Sequence, residues 1–205
     1  MRRFLKAIYF LFLITLLVVG CSGGGEQPQT ADHEHEREAT MTEDGLFIRQ
    51  EYYESGALKA RWTEFAESPG NFVAHGKRTM WYENGRKRFE GRVIYGNPDG
   101  FITHWYPNGN KKQEMSYVEG RQNGAVRSWY PDGTLWQEAF FKDDLPHGSA
   151  ILWDTLGHKL EELSYQNGKK HGICRRWDAD GKLFYEAKFE NGELVEQAAG
   201  EDRKI

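Results

Sequence analysis

Five glutamates, Glu90, Glu114, Glu138, Glu162 and Glu186, recur every 24 residues. Paired carboxylates are the usual acid and base of glycoside hydrolysis, so this column is the first place to look for catalysis. That chemistry needs one carboxyl to keep its proton while the other stays ionised, which takes unequal environments. Equivalent glutamates on equivalent units offer no such asymmetry, and the expectation is a solvated, salt-linked face with no catalytic residue. Three histidines, His75, His147 and His171, also fall in register, each directly before a glycine. They sit in turns of different units, so they read as turn residues rather than metal ligands. His33 and His35, in ADHEHERE, lack the spacing and helical context of HExxH and read as linker. No metal, cofactor, phosphate loop or Gly-x-Ser-x-Gly nucleophile is expected. Five tryptophans, Trp81, Trp105, Trp129, Trp153 and Trp177, keep the same period. Rigid aromatic area of this kind suits either a binding stripe or the protein's own core, and the column is the candidate binding surface.

These columns are positioned by a repeat. Gly76, Gly100, Gly124, Gly148 and Gly172 share the period of 24, as do Gly85, Gly109, Gly133, Gly157 and Gly181. Five units follow, about 73–96, 97–120, 121–144, 145–168 and 169–192. A degenerate unit precedes them: Tyr52-Tyr53-Glu54-Ser55-Gly56 matches Trp81 to Gly85 at a spacing of 29, so five extra residues lie between, placed at 66–72. Each unit holds two short runs, such as FITHWY and KQEMSY, divided by turn residues. Short aromatic and β-branched runs bounded by Gly, Asn, Asp and Pro are strands; no 3.6-residue stripe supports a helix.

Tyr106-Pro107-Asn108-Gly109 and Tyr130-Pro131-Asp132-Gly133 carry the type I signature, with Gly free to form a G1 bulge. The second turn, as in YQNGKKHG (165–172), reads as one longer loop whose two glycines supply positive φ. In the second strand Met115 and Tyr117 share one parity, with Ala139 and Phe141, Leu163 and Tyr165, and Ala187 and Phe189 in later units; the glutamates take the other. Period 2 puts these two sets on opposite faces. The fold class is therefore all-β, an elongated single-layer antiparallel sheet of repeated hairpins, advancing about 10 Å per unit. Cys174 is in column with Ile102, Val126 and Ala150 and reads as a small apolar strand residue.

The N-terminus has a different character. Arg2, Arg3 and Lys6 precede an apolar stretch from Ala7 to Val19, too short to span a bilayer comfortably and suited to a signal peptide. Val18-Val19-Gly20-Cys21 resembles the bacterial lipobox, which implies lipidation of Cys21 and removal of 1–20. The expected partner there is a membrane, and the expected location the bacterial cell envelope: the periplasmic side of the outer membrane if the cell is Gram-negative. Residues 21–45 read as a lipidated Cys and flexible linker, 46–196 as the repeat domain, and 197–205 as a polar tail. With Cys21 lipidated, Cys174 has no disulfide partner. Loss of the three basic residues in 1–20 takes the formal net charge from −4 to −7. Without a basic block, nucleic acid is not an expected partner.

The phrases YENGRKRFEG, YPNGNKKQE, YPDGTLWQE, YQNGKKHG and FENGE resemble the MORN repeat variants, and most of all those of bacterial proteins labelled YwqK-family antitoxins. The resemblance runs over roughly 45–195. It implies a single-layer hairpin sheet used as a protein-binding or scaffolding surface. Two alternatives go with it: an antitoxin that neutralises a partner toxin, and a surface for glycan or cell wall.

Overall fold

Two kinds of turn alternate along the chain and make it a meander. The first kind is the one legible in the sequence. At Tyr106–Gly109 the Gly109 N–H donates to the Tyr106 carbonyl at 2.9 Å, and the Tyr106 N–H donates to the Asn110 carbonyl at 2.8 Å. Gly109 has φ 95°, and the strand register shifts between His104 and Trp105. This is a type I turn closed by a G1 bulge. The same pair of hydrogen bonds recurs at Tyr53–Gly56, Tyr82–Gly85, Tyr130–Gly133, Asp154–Gly157 and Asp178–Gly181.

The second kind corrects the expectation of one longer loop. Glu119 and Gly120 both take positive φ, 51° and 82°, and form a two-residue hairpin, the type I′ arrangement that matches strand twist. The pattern repeats at 95–96, 143–144, 167–168 and 191–192. The second glycine of each phrase is not in the turn at all. Gly124 lies inside the strand Arg121–Trp129, where the pairing jumps from Gln122↔Tyr117 to Val126↔Met115. The glycines there relax a bulge. Gly172 has φ 96°, and a Cβ on it would stand 3.2 Å from the Ser164 hydroxyl oxygen.

The computed structural model describes residues 40–197. Among these residues there is no helix, and one open antiparallel sheet of 17 strands contains them all. The sheet starts at Thr40–Met41, which pairs with Phe47 and Ile48, so residues 40–45, expected in the linker, belong to the first hairpin. It ends at Glu193–Gln197, paired with Leu183–Glu190. The five inserted residues of the degenerate unit lengthen a hairpin: Leu58–Ser68 is 11 residues long, where Lys111–Val118 has 8. Pro69-Gly70 turns this hairpin, with Gly70 at φ 80°, as type II geometry requires. The signal stretch 1–20, Cys21, His33, His35 and 198–205 lie outside the described residues.

The core runs across the strands on one face. Cross-strand pairing links Ile102 to Met115, Met115 to Val126, Val126 to Ala139, Ala139 to Ala150 and Ala150 to Leu163, and then Cys174 to Ala187. From Val126 onward these residues are buried. Phe141, Tyr165 and Phe189, two residues farther along their strands, pack against the cluster of Ala139, Ala150, Leu163 and Cys174. Small side chains leave room for the neighbouring rings to lie over them, so one layer generates burial without a second. Cys174 is 1% exposed and unpaired, in keeping with its reading as a small apolar residue.

The bulge glycine gives the first test. Gly172→Ala forces a Cβ into a positive-φ position beside Ser164, and is expected to lower unfolding free energy by about 1–3 kcal/mol in denaturant titration. Unchanged stability would show that the bulge does not depend on glycine.

Candidate interaction faces

The glutamate column faces away from the core. Glu114 stands across from Thr103 and Arg127, the parity opposite to Met115. Each glutamate holds a cation: Glu90 with Lys87 at 2.7 Å and Lys77 at 3.0 Å, Glu114 with Lys111 at 2.5 Å, Glu138 with Arg127 at 2.6 Å, Glu162 with Lys159 at 3.2 Å, and Glu186 with Arg175 at 2.6 Å. The Lys87 hydrogen bond leads in holding the Glu90 carboxyl below its usual range, against a desolvation that raises it, with Lys77 adding to the lowering. Partly exposed pairs of this kind contribute about 0–1 kcal/mol each. Their effect is to cancel the acidity of the stripe.

The tryptophans share this face. Lys87 lies over the Trp105 ring at 5.6 Å, Lys111 over Trp129 at 5.6 Å, and Lys159 over Trp177 at 5.3 Å. One lysine thus grips the glutamate three residues ahead and covers the tryptophan of the next unit. Leu135, paired with Trp129, takes the lysine's place before Trp153. Trp81, Trp105, Trp129, Trp153 and Trp177 are all half-buried, while the buried residues Val126 to Ala187 line the other face. The tryptophans therefore form an aromatic stripe beside the glutamates, covered by lysine at Trp105, Trp129 and Trp177.

A tyrosine ladder, unrecognised in the sequence, fixes the main chain of that stripe. The hydroxyls of Tyr53, Tyr82, Tyr106 and Tyr130 donate to the carbonyls of Trp81, Trp105, Trp129 and Trp153 at 2.8, 2.7, 2.8 and 3.0 Å. Each bond joins one unit to the next. The signal was the tyrosine opening YENG, YPNG and YPDG, which the turn rules did not demand. The ladder stops where Asp154 and Asp178 replace tyrosine, and each carboxylate accepts N–H groups from its own turn instead. Burial pushes the Tyr106 and Tyr130 hydroxyls above the ordinary tyrosine range, which keeps them as donors.

Two of the three column histidines have a structural use, while the Nδ1 of His171 is buried without a hydrogen-bond partner among the described residues. His75 Nδ1 accepts from the Tyr95 N–H at 3.4 Å, and His147 Nδ1 from the Asn167 N–H at 3.5 Å. Asn123 does the same through Oδ1 for the Asp143 N–H at 3.3 Å. Each long contact caps the first residue of the type I′ turn that ends its own unit. The column thus stays distributed along the sheet; no group of three or more potential metal ligands is gathered among the described residues.

The opposite face has a feature that breaks the repeat. Met80, Tyr82, Arg88, Phe89, His104 and Lys112, with Trp105, line a shallow open cleft of about 270 Å³. Phe89 and His104 meet edge to face with ring centres 5.1 Å apart. Arg88 reaches the Met80 sulfur at 3.8 Å, and Lys112 lies 5.7 Å from the Tyr106 ring centre. Burial first, then the charges of Lys112 and Arg88, hold the His104 pKa below its ordinary value.

Three stretches of the chain, residues 99–119, 122–143 and 170–191, match the MORN repeat variant. Each falls within one of the 24-residue units read from the sequence. No curated protein matches the sequence.

The ladder is testable by Tyr106→Phe, which removes a hydroxyl and leaves the Trp129 carbonyl without its donor. The expected loss is about 0.5–1.5 kcal/mol by denaturant titration. A tyrosine whose pKa is raised on folding adds stability that is complete below its ordinary value of 10.0 and is lost as pH climbs through the folded value. The double variant Tyr106→Phe/Tyr130→Phe is therefore expected to flatten the fall in stability above about pH 10. An unaltered alkaline limb would refute this.

Proposed function

We propose that this protein is a non-catalytic binding or scaffolding element whose sheet engages a protein partner while a lipid on Cys21 holds it at a bacterial envelope membrane. The observation that carries the reading is the Trp–Lys–Glu stripe. It repeats one neutralised, aromatic, half-exposed surface along successive strands, a form suited to contact over an extended area. Tryptophan with a lysine over its ring offers apolar area and a displaceable cation, the mix enriched where proteins meet. The glutamates support the non-catalytic half. Each is held by its own lysine or arginine, so no two present the unequal pair that acid–base catalysis uses. The match to the MORN repeat variant agrees with a binding role.

Membrane attachment rests on the ordered basic residues, apolar stretch and VVGC at 18–21. Crosslinking in native membranes, followed by capture and mass spectrometry, identifies the partner. A captured enzyme or toxin whose activity falls on binding would give the antitoxin form of this reading.

Two variants separate anchor from surface. Cys21→Ser is expected to release the protein from membranes, or leave it unprocessed, with the sheet's folding unchanged. A mature protein without lipid would sink the anchor. Trp129→Ala is expected to reduce partner capture per folded molecule at least tenfold, as for an aromatic anchor worth more than about 1.4 kcal/mol. Capture unchanged beside a large fall in melting temperature would reassign the stripe to stability alone.

A further inference from the structure

We propose that the cleft on the core face binds an organic oxyanion, its charged head between Arg88 and Lys112 and its apolar body against Phe89 and Met80. This site touches the tryptophan stripe only at Trp105, and either proposal can hold without the other.

Four observations carry it. The first is a division of labour between adjacent residues. Lys87 and Lys111 point to the stripe and hold Glu90 and Glu114. Arg88 and Lys112, one residue later in the same two units, line the cleft on the other face. Neither forms an ion pair among the described residues, whereas Lys87 and Lys111 beside them each hold a glutamate. The second is locality. In the next three units the position of Arg88 and Lys112 is taken by Trp136, Leu160 and Phe184. The cationic pair thus exists only where the cleft is, and the repeat does not demand it.

The third is His104, which stands beside Phe89 on the neighbouring strand. Its strand partner on the other side is Gln113, so the charged groups around it are Arg88 and Lys112, without a carboxylate. The two cations repel a third charge on the imidazole. A bound anion would reverse that repulsion, so anion and imidazole proton each favour the other. The fourth is shape. A cleft of about 270 Å³, walled by an aromatic ring and a thioether, gives an apolar body a surface that a hydrated inorganic ion cannot use.

The test uses the full chain and follows the imidazole C–H resonance of His104, identified by its loss in His104→Gln, through a pH titration. The probes are phenyl sulfate, benzoate and inorganic sulfate. Phenyl sulfate and benzoate are expected to raise the His104 titration midpoint saturably. Inorganic sulfate is expected to bind about tenfold more weakly, lacking the buried ring. Arg88→Gln and Lys112→Gln should each weaken phenyl sulfate by about tenfold or more, the loss of one charge-assisted contact. Lys111→Gln, on the other face, should leave it unchanged, and unaltered circular dichroism would certify that the variants are folded. No midpoint shift with any probe would overturn the site. So would a shift that is indifferent to Arg88→Gln and Lys112→Gln, which would mean general charge screening. Equal binding of sulfate and phenyl sulfate would overturn the apolar half of the proposal.

Discussion

A sheet with no second layer must bury its apolar side chains against their own neighbours, and every other feature of this protein follows from that constraint. The solution is a column that grows small where burial is deepest: Val126, Ala139, Ala150, Leu163, Cys174 and Ala187. Phe141, Tyr165 and Phe189 pack against it from the next positions along their strands. A single unit would leave those rings over nothing. Stability therefore lives between units, as in other repeat architectures.

The same constraint explains why both turn edges carry hydrogen bonds between successive hairpins, from unit to unit at one edge and within a unit at the other. At one edge, tyrosine hydroxyls reach the tryptophan carbonyls. At the other, the turn N–H of Gly96, Gly120, Asp144, Gly168 and Gly192 donates to the carbonyl of Ala74, Pro98, Gln122, Pro146 and Lys170 at 2.8–3.1 Å. The histidine and asparagine caps add a second link at that edge. Each of these bonds satisfies a backbone group at the rim of an open sheet, where an unmet donor or acceptor would otherwise loosen the stack. The glycine bulges let the strand return to register after each tight turn, so every unit meets the next in the same way.

Because the core occupies one face, the other is left to charge and aromatic rings. There the lysines work twice, on a glutamate of their own unit and on the next unit's tryptophan. The result is a stripe with little net charge but many polar contacts that a partner can exchange. The core face, in turn, departs from strict repetition where Arg88, His104 and Lys112 line one cleft. In a protein built by copying one unit, a departure of that kind is where specificity can reside.

The period, the strand pairs, the type I turns and the opposition of glutamates to Met115 and Tyr117 were legible in the residues, because they depend on spacing and on the two-residue alternation of a strand. The insertion was legible as five extra residues, though not as a lengthened hairpin. The second turn was misjudged, since two glycines four apart do not say which one turns and which one bulges; the backbone conformation settled that. The tryptophans' face was hidden for a related reason. Trp105 shares the side of Thr103, but that Thr103 stands across from Glu114 is fixed by the register of the bulged turn, which parity within one strand does not give. The tyrosine ladder and the cleft of Arg88, His104 and Lys112 join residues 8 to 28 positions apart. Only the registered stacking of strands brings them within reach, and no local rule could have placed them together.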